Sequence, residues 1–536
     1  MPEAMTAEER ARVQIESVRL VVGMEIHVEL STRSKMFARC ASPACVGAGE
    51  FEPNSLIDPV VLGLPGALPG LNREAVELSM RVGLALNCRI AEETKWDRKG
   101  YTYPDLPKGY QISQYDLPLC ADGFVDVPRV GPRGEFDPEG PVTRVGIIRA
   151  HLEEDAGKLL HEAPASGGVG GGALEGSIVD LNRAGTPLLE IVTQPDISSA
   201  DEAVAFCRLL RMICRFVGAT EGVMQKGHMR FEPNINCVLT LAGGRVVRTP
   251  IVEVKNLNSF RAVAGAIEHE LAEQPGRWRA DGREMGPGSK TTRGWDDARG
   301  VTFPQREKED AHDYRYFPDP DLPALEVDRA WLERVGAELP ELPLARLARW
   351  AGTLGLAPVD GMTLLEERAD ADLFDRAVEA RVDAGLSRER AGRGVGNIVL
   401  QHMARLANER SGPGGAITVS GLGVSAGQIA AIAGLRDGDR ISAANAGKLV
   451  EKLADPAYAG RDAAGVAEYE GWLIVRDEGA MAAWVEEVVS ENAAVVEQIR
   501  GGKAQAVGRL VGEVMKKSGG TADAKAVREM ILARIG

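Results

Sequence analysis

No segment of this 536-residue chain approaches the roughly 18 uninterrupted apolar residues that a membrane span requires. The opening stretch MPEAMTAEERARVQIES is charged and has no apolar core, so no secretory leader is expected. Cysteine is scarce: seven residues, an odd number, with no CxxC spacing. That argues against a disulfide framework and for a reducing, cytoplasmic setting, and it leaves Cys207 and Cys214, within a helical pattern, as core fillers. The chain also has no GxxxxGK[ST]; its nearest fragment, EEDAGK, has Leu152 where the first glycine would stand. HExxH is missing too, which removes the usual zinc hydrolases.

What is there is a globular composition, 44% hydrophobic, with a net charge of −15. From Arg500 to the end the balance reverses, with eight Lys/Arg against three acids. Such a tail suits local phosphate contact, although ordinary helix-surface lysines would read the same. Up to about residue 323 apolar/polar alternation is frequent and helices are few, as in an antiparallel-rich α+β domain. One strong helix interrupts it, with Ser199 and Glu202 as a capping box and Gly218 as its stop. EAPASGGVGGGALEG, residues 162–176, is expected to be a flexible surface loop. After the three prolines of 318–323 the pattern turns helical, and SGPGG at 411–415 is the expected hinge. The expected organisation is therefore an N-terminal extension, 1–18, an α+β domain, 19–323, and two all-α domains, 324–410 and 411–536. In the last of these Val507, Leu510, Val511 and Val514 form one stripe ahead of Lys516, Lys517 and Gly519.

The strands carry acids. In GMEIHVEL, Met24, Ile26 and Val28 alternate with Glu25, His27 and Glu29, so one face is apolar and the other polar, its neighbours about 7 Å apart. RAHLEEDAGK puts His151 and Glu153 on one face and Glu154 on the other. TPLLEIVT sets Glu190 among apolar residues; in MRFEPNIN, Arg230, Glu232, Asn234 and Asn236 share a face, and in IVEVKNLN Glu253 and Lys255 do. Each alone reads as a solvated sheet face. If the strands share a sheet, the carboxylates converge and need cations, for which hard oxygen ligands favour Mg²⁺. In KWDRKGYTYPDLPKGYQISQYDLPLC, residues 95–120, lysines and arginines interleave with aromatics. It reads equally as a grip for phosphates and bases or as a meander whose tyrosines pack on the sheet.

Taken in order, GMEIHVEL, SKMF, LGLPGALPGLN, DRKGYTYPDLPKGYQISQYD, HLEEDAGK, VDLNRAGTPLLEIVTQPD, EVKNLNSF and DYRYFPDPDLP resemble the B subunits of the aspartyl/glutamyl-tRNA amidotransferases. They cover residues 20–323 almost without a gap, and VGRLVGEVMKKSGGTADAKAV resembles the family's tail. The resemblance implies a heterotrimer whose A subunit is a glutaminase and whose C subunit is small. It implies that this chain uses ATP and Mg²⁺ to phosphorylate glutamate or aspartate misattached to tRNA, and that ammonia then displaces the phosphate. It also implies a first domain similar to glutamine synthetase and a tRNA-binding tail. Carried over by position, the metal ligands are Glu25, His27, Glu154, Glu190 and Glu232. Glu154 is also implied to be catalytic, with Lys99 as the basic residue near the ammonia path. Strand parity instead favours Glu153, beside His151. Glu29 has no counterpart and is expected at the exposed end of its strand.

Two departures from the family stand out. Four zinc-binding cysteines of many members align with Ala38, Cys40, Asp58 and Val61, so no zinc is expected here. Glu232 stands where the family commonly has Asp, and the extra methylene moves the carboxylate by about 1.5 Å. Two further readings compete: a glutamine-synthetase-like ligase acting on a small carboxylate, and a non-catalytic RNA-binding scaffold. The helices and basic tail beyond residue 323 count against the first of these, and the repeated carboxylates against the second.

Overall fold

The computed structural model describes residues 5–45, 51–162, 173–305, 314–412, 417–474, 478–501 and 503–535. It divides into two compact units, residues 1–343 and 344–536.

The first unit is built on one ten-stranded sheet. Its order is β15 (Val301–Pro304), β14 (Thr291–Asp296), β13 (Val252–Lys255), β11 (Met229–Leu241), β1 (Ile15–Glu29), β10 (Pro187–Thr193), β7 (Val142–Glu154), β6 (Cys120–Pro128) and β2 (Arg89–Ile90), with β12 (Val246–Arg248) beside β11. All its pairs are antiparallel except that of β13 with β14. Smaller ladders join β16 (Phe317–Pro318), β4 (Asp97–Gly100) and β5 (Tyr110–Ser113); β17 (Leu325–Glu326) and β3 (Glu93–Thr94); and β8 (Lys158–Glu162) and β9 (Ala173–Asp180).

Alternation along β1 decides which face is covered. Leu20, Val22, Met24, Ile26 and Val28 are all buried. Helices α2 (Arg73–Ala85), α3 (Ala200–Phe216) and α4 (Phe260–Asp281) contact this sheet and each other. Trp278 of α4 packs on Cys237 and Leu239 of β11, and Phe260 on Phe231. Each such side chain removed from water contributes about 1.5–3 kcal/mol. The opposite face keeps its polar residues because no helix among the described residues covers it, and it becomes the floor of a cavity. Helix α3 starts and stops where expected, but its cap works one way only. Ser199 Oγ accepts from Glu202 N at 3.1 Å, whereas the Glu202 carboxylate accepts from Ser198 N and Oγ, both at 2.8 Å.

Several boundaries differ from the sequence pattern. Residues 15–18 are part of β1, pairing with β11, and α1 (Ala7–Arg12) contacts α4. The proline-rich stretch does not end the first unit. Pro318 pairs with Asp97, β17 pairs with β3, and Arg334 of α5 (Arg329–Ala337) binds Glu77 at 2.6 Å. Residues 162 and 173–176 are strand rather than loop; 163–172, and 413–416 of the expected hinge, lie outside the described residues.

The zinc-aligned positions have an apolar solution. Ala38 and Val61 join Leu106, Leu181 and Ala184 in one buried cluster, and the Asp58 carboxylate accepts from Val60 N and Val61 N at 2.9 and 3.0 Å. Buried Lys35 ties this region together by donating to the carbonyls of Leu181 and Ala184 at 3.3 and 2.6 Å.

In the second unit, helices run from Pro343–Leu354 to Ala524–Ile535. Asp370, buried, accepts from Val419 N at 3.0 Å and Ser420 N at 2.7 Å. At its end Val507, Leu510 and Val514 share a core with Val485, Val527 and Ile531, and Val511 packs against it, which leaves Lys516 exposed at the helix end. No helix among the described residues is long and apolar enough to cross a membrane.

Candidate metal centre

Register brings the acids together. Glu25 of β1 stands opposite Glu232 of β11, His27 of β1 opposite Glu190 of β10, and Glu190 opposite His151 of β7. Side chains that pair across antiparallel strands share a face about 5 Å apart, so acids spaced far apart in the chain meet in two groups. The first is His27, Glu153 and Glu190; the second is Glu25, Glu232 and Glu253. Within each group the candidate ligand atoms lie within 4.8 Å of one another. A cavity of about 800 Å³ lies over them, lined also by Lys99, Arg149, His151, Asp155, Arg230, Lys255 and Lys290.

In the first group His27 Nε2 is 3.7 Å from both Glu153 and Glu190, and His151 Nε2 is 3.5 Å from Glu190. Burial would lower the His27 pKa, but the carboxylates of Glu190, Glu232 and Glu153 outweigh it and raise it to about 9. Burial dominates at His151 and brings it down to about 4, against the pull of Glu190. Burial and then Glu190 push Glu153 up. Burial opposes ionisation of Glu190 as well, yet His151, His27 and Lys99 hold it well below the ordinary carboxylate range. Two ammonium ions offset much of the charge of the second group's three carboxylates. Lys255 Nζ lies 2.6 Å from Glu232 and 3.1 Å from Glu253, and Lys290 Nζ lies 3.2 Å from Glu25 and 3.3 Å from Glu253.

Both groups fit a small hard cation. Mg²⁺, with bonds of about 2.1 Å, spans up to about 4.2 Å between opposite ligands, so modest side-chain rotation closes either set. The oxygen-rich second group suits it especially, and there the longer Glu232 side chain reaches the set.

Four of the expected ligands, Glu25, His27, Glu190 and Glu232, line this cavity together. Glu154 does not join them. It is buried on the far side of β7, where its carboxylate pairs with Lys108 and accepts from Ile112 N at 2.9 Å. The acid beside His27 is Glu153, as parity implies. Lys99 lines the cavity with its Nζ 4.8 Å over the Tyr314 ring, and Glu153 and Glu190 raise its pKa against the effect of burial. Glu29 is not exposed: it keeps 7% of its accessible surface, and burial, then Asp155, raises its pKa to about 7. Of the other bases in the 95–120 stretch, Lys95 pairs with Asp97 and Asp116, and Arg98 with Asp319 and Asp321. These bases brace the meander. The shared face of Glu253 and Lys255 is legible in the sequence, but their place in the site is not, and neither is that of Asp155 or Lys290. Lys290 follows a glycine-rich turn, where no periodicity marks it.

Residues 20–333 match the family model described as the GatB/GatE catalytic domain, and residues 373–535 match that described as the GatB domain. The chain is 39% identical to the B subunit of the aspartyl/glutamyl-tRNA(Asn/Gln) amidotransferase of Rhodopirellula baltica, over 98% of this chain and 99% of the relative. It is 41% identical to proteins of the same name from an Anaeromyxobacter species, over 97% and 99%, and from Moorella thermoacetica, over 96% and 99%.

Proposed function

Since the chain belongs to the GatB/GatE family, we propose that it is the B subunit of a tRNA-dependent, glutamine-hydrolysing amidotransferase. Its substrates are Glu-tRNA(Gln), Asp-tRNA(Asn) or both, together with ATP. Its partners are the glutaminase, or A, subunit and the small C subunit. Residues 344–410 and 411–536 are its helical parts, the latter contacting tRNA. The likeness of the antiparallel domain to glutamine synthetase belongs to the same proposal.

The observation that carries the reading is the meeting of two carboxylate groups over one cavity. Glu25, Glu232 and Glu253 would hold one Mg²⁺, and His27, Glu153 and Glu190 another. Mg²⁺ held by these residues would neutralise the triphosphate and the attacking carboxylate, which otherwise repel each other. The substrate's side-chain carboxylate oxygen attacks the γ-phosphorus of ATP, and the bond to the bridging oxygen of ADP breaks. Ammonia then attacks the acyl carbon and inorganic phosphate leaves with the bonding pair. Arg230 and Asp155, 3.1 Å apart, brace one wall, and Lys99 keeps its positive charge beside Glu153 and Glu190.

The test is ATP hydrolysis by the assembled trimer in Mg²⁺, with and without misacylated tRNA. Stimulation by the tRNA is expected. Equal turnover on free glutamate would favour a small-carboxylate ligase, and no hydrolysis at all would favour an RNA-binding scaffold.

A further inference from the structure

Besides His27, five Lys and Arg residues line the cavity, and four of the five are engaged. Lys255 and Lys290 hold the second acid group, Arg230 holds Asp155, and Lys99 rests on Tyr314 beside the first group. Arg149 has no acid partner among the described residues, and its Nε is buried without a hydrogen-bond partner. A guanidinium offers five N–H donors in a fixed fork, and a buried donor left unpaired is costly. A site that keeps one is built for a ligand.

Register says where that ligand lies. Arg149 pairs with Val192, Val192 with Glu25, and Glu25 with Glu232. Arg149, Glu25 and Glu232 therefore lie in one cross-strand row on the cavity face, with only Val192 between Arg149 and Glu25. Strands are about 4.8 Å apart, so the Arg149 and Glu25 backbones stand about 10 Å apart. A tetrahedral anion bridges that gap, about 2.1 Å from a cation held by the acids and about 2.8 Å from a guanidinium. A carboxylate could take the fork but has no third oxygen for the cation.

We infer that Arg149 is the phosphate clamp of this cavity, holding the terminal phosphoryl group of a nucleoside triphosphate against the Glu25–Glu232–Glu253 site. This rests on the reading of the chain as an ATP-using part of an amidotransferase. Arg149 touches the group being transferred, so its loss removes an interaction that AMP, lacking that group, never makes.

The test titrates the complete heterotrimer, carrying the wild-type chain, R149Q or R149K, with the β,γ-imido analogue of ATP and with AMP. Both titrations are run by calorimetry in magnesium buffer. R149Q is expected to weaken the analogue at least about tenfold and AMP less than about threefold. R149K, which restores charge without the fork, should recover only part. Unchanged analogue affinity in both variants overturns the inference, as does an equal loss for AMP. A defect confined to the KM for aminoacyl-tRNA also overturns it, since the guanidinium then serves the tRNA. If the wild-type heterotrimer binds neither nucleotide, the ATP-using reading fails and the clamp with it, an outcome distinct from wild-type binding that R149Q leaves untouched.

Discussion

Two adjacent glutamates, Glu153 and Glu154, face opposite sides of β7 and should fail in different ways. E153Q alters the carboxyl beside His27, a metal ligand under the proposed function, and should cut amidation more than about a hundredfold while leaving the melting temperature near that of wild type. E154Q strands the Lys108 ammonium in a buried pocket and should instead cost stability, about 3 kcal/mol by denaturant titration. The reverse pattern would move the metal site to the other face. Glu29 offers a test by pH. Its pKa rises from 4.5 in the unfolded chain to about 7 in the fold, so the folded state holds the proton more tightly between those values. Stability attributable to this group is thus present at low pH and lost as pH rises through that window. E29Q should gain up to about 3 kcal/mol over wild type at pH 8 and nothing at pH 4, read from paired unfolding curves.

Strand β1 separates stability from chemistry by parity. Ile26→Ala opens a hole against the helices and should cost about 2–5 kcal/mol, whereas His27→Gln, one residue along, should abolish amidation with little change in unfolding midpoint. The same parity explains what was legible beforehand. Period-2 alternation marks β1, β7 and β10 with their polar residues, and it picks Glu153 over Glu154 where carry-over by position does not. It says nothing about register between strands, so the pairing of Glu25 with Glu232, and the approach of Glu253 from beside Asn234, emerge only in the sheet. Glu29 misleads because burial at a strand end is decided by what folds over it, here Asp155 and Arg230. The stretch after residue 318 misleads too: prolines mark a turn, but β17 and α5 return to the first unit through β3 and Glu77.

For the whole molecule, the charge contrast between an acidic body and a basic end should be visible in tRNA binding. Lys503, Arg509, Lys516 and Lys525 are exposed, and changing all four to Ala should weaken tRNA binding at low salt. The slope of log K against log salt should fall by roughly 0.7–0.9 for each phosphate that is no longer neutralised. An unchanged slope would remove the tail as an RNA-contacting part. The ammonium ions of Lys255 and Lys290 carry a different consequence. A zinc finger without its ion is unfolded, but here the acids already have counter-charges of their own. Chelation should therefore shift the melting temperature by less than about 4 °C, the equivalent of roughly 1 kcal/mol. The chain can leave the ribosome, fold and join its partners while free magnesium fluctuates, and the order of assembly in the cell is then independent of ion supply.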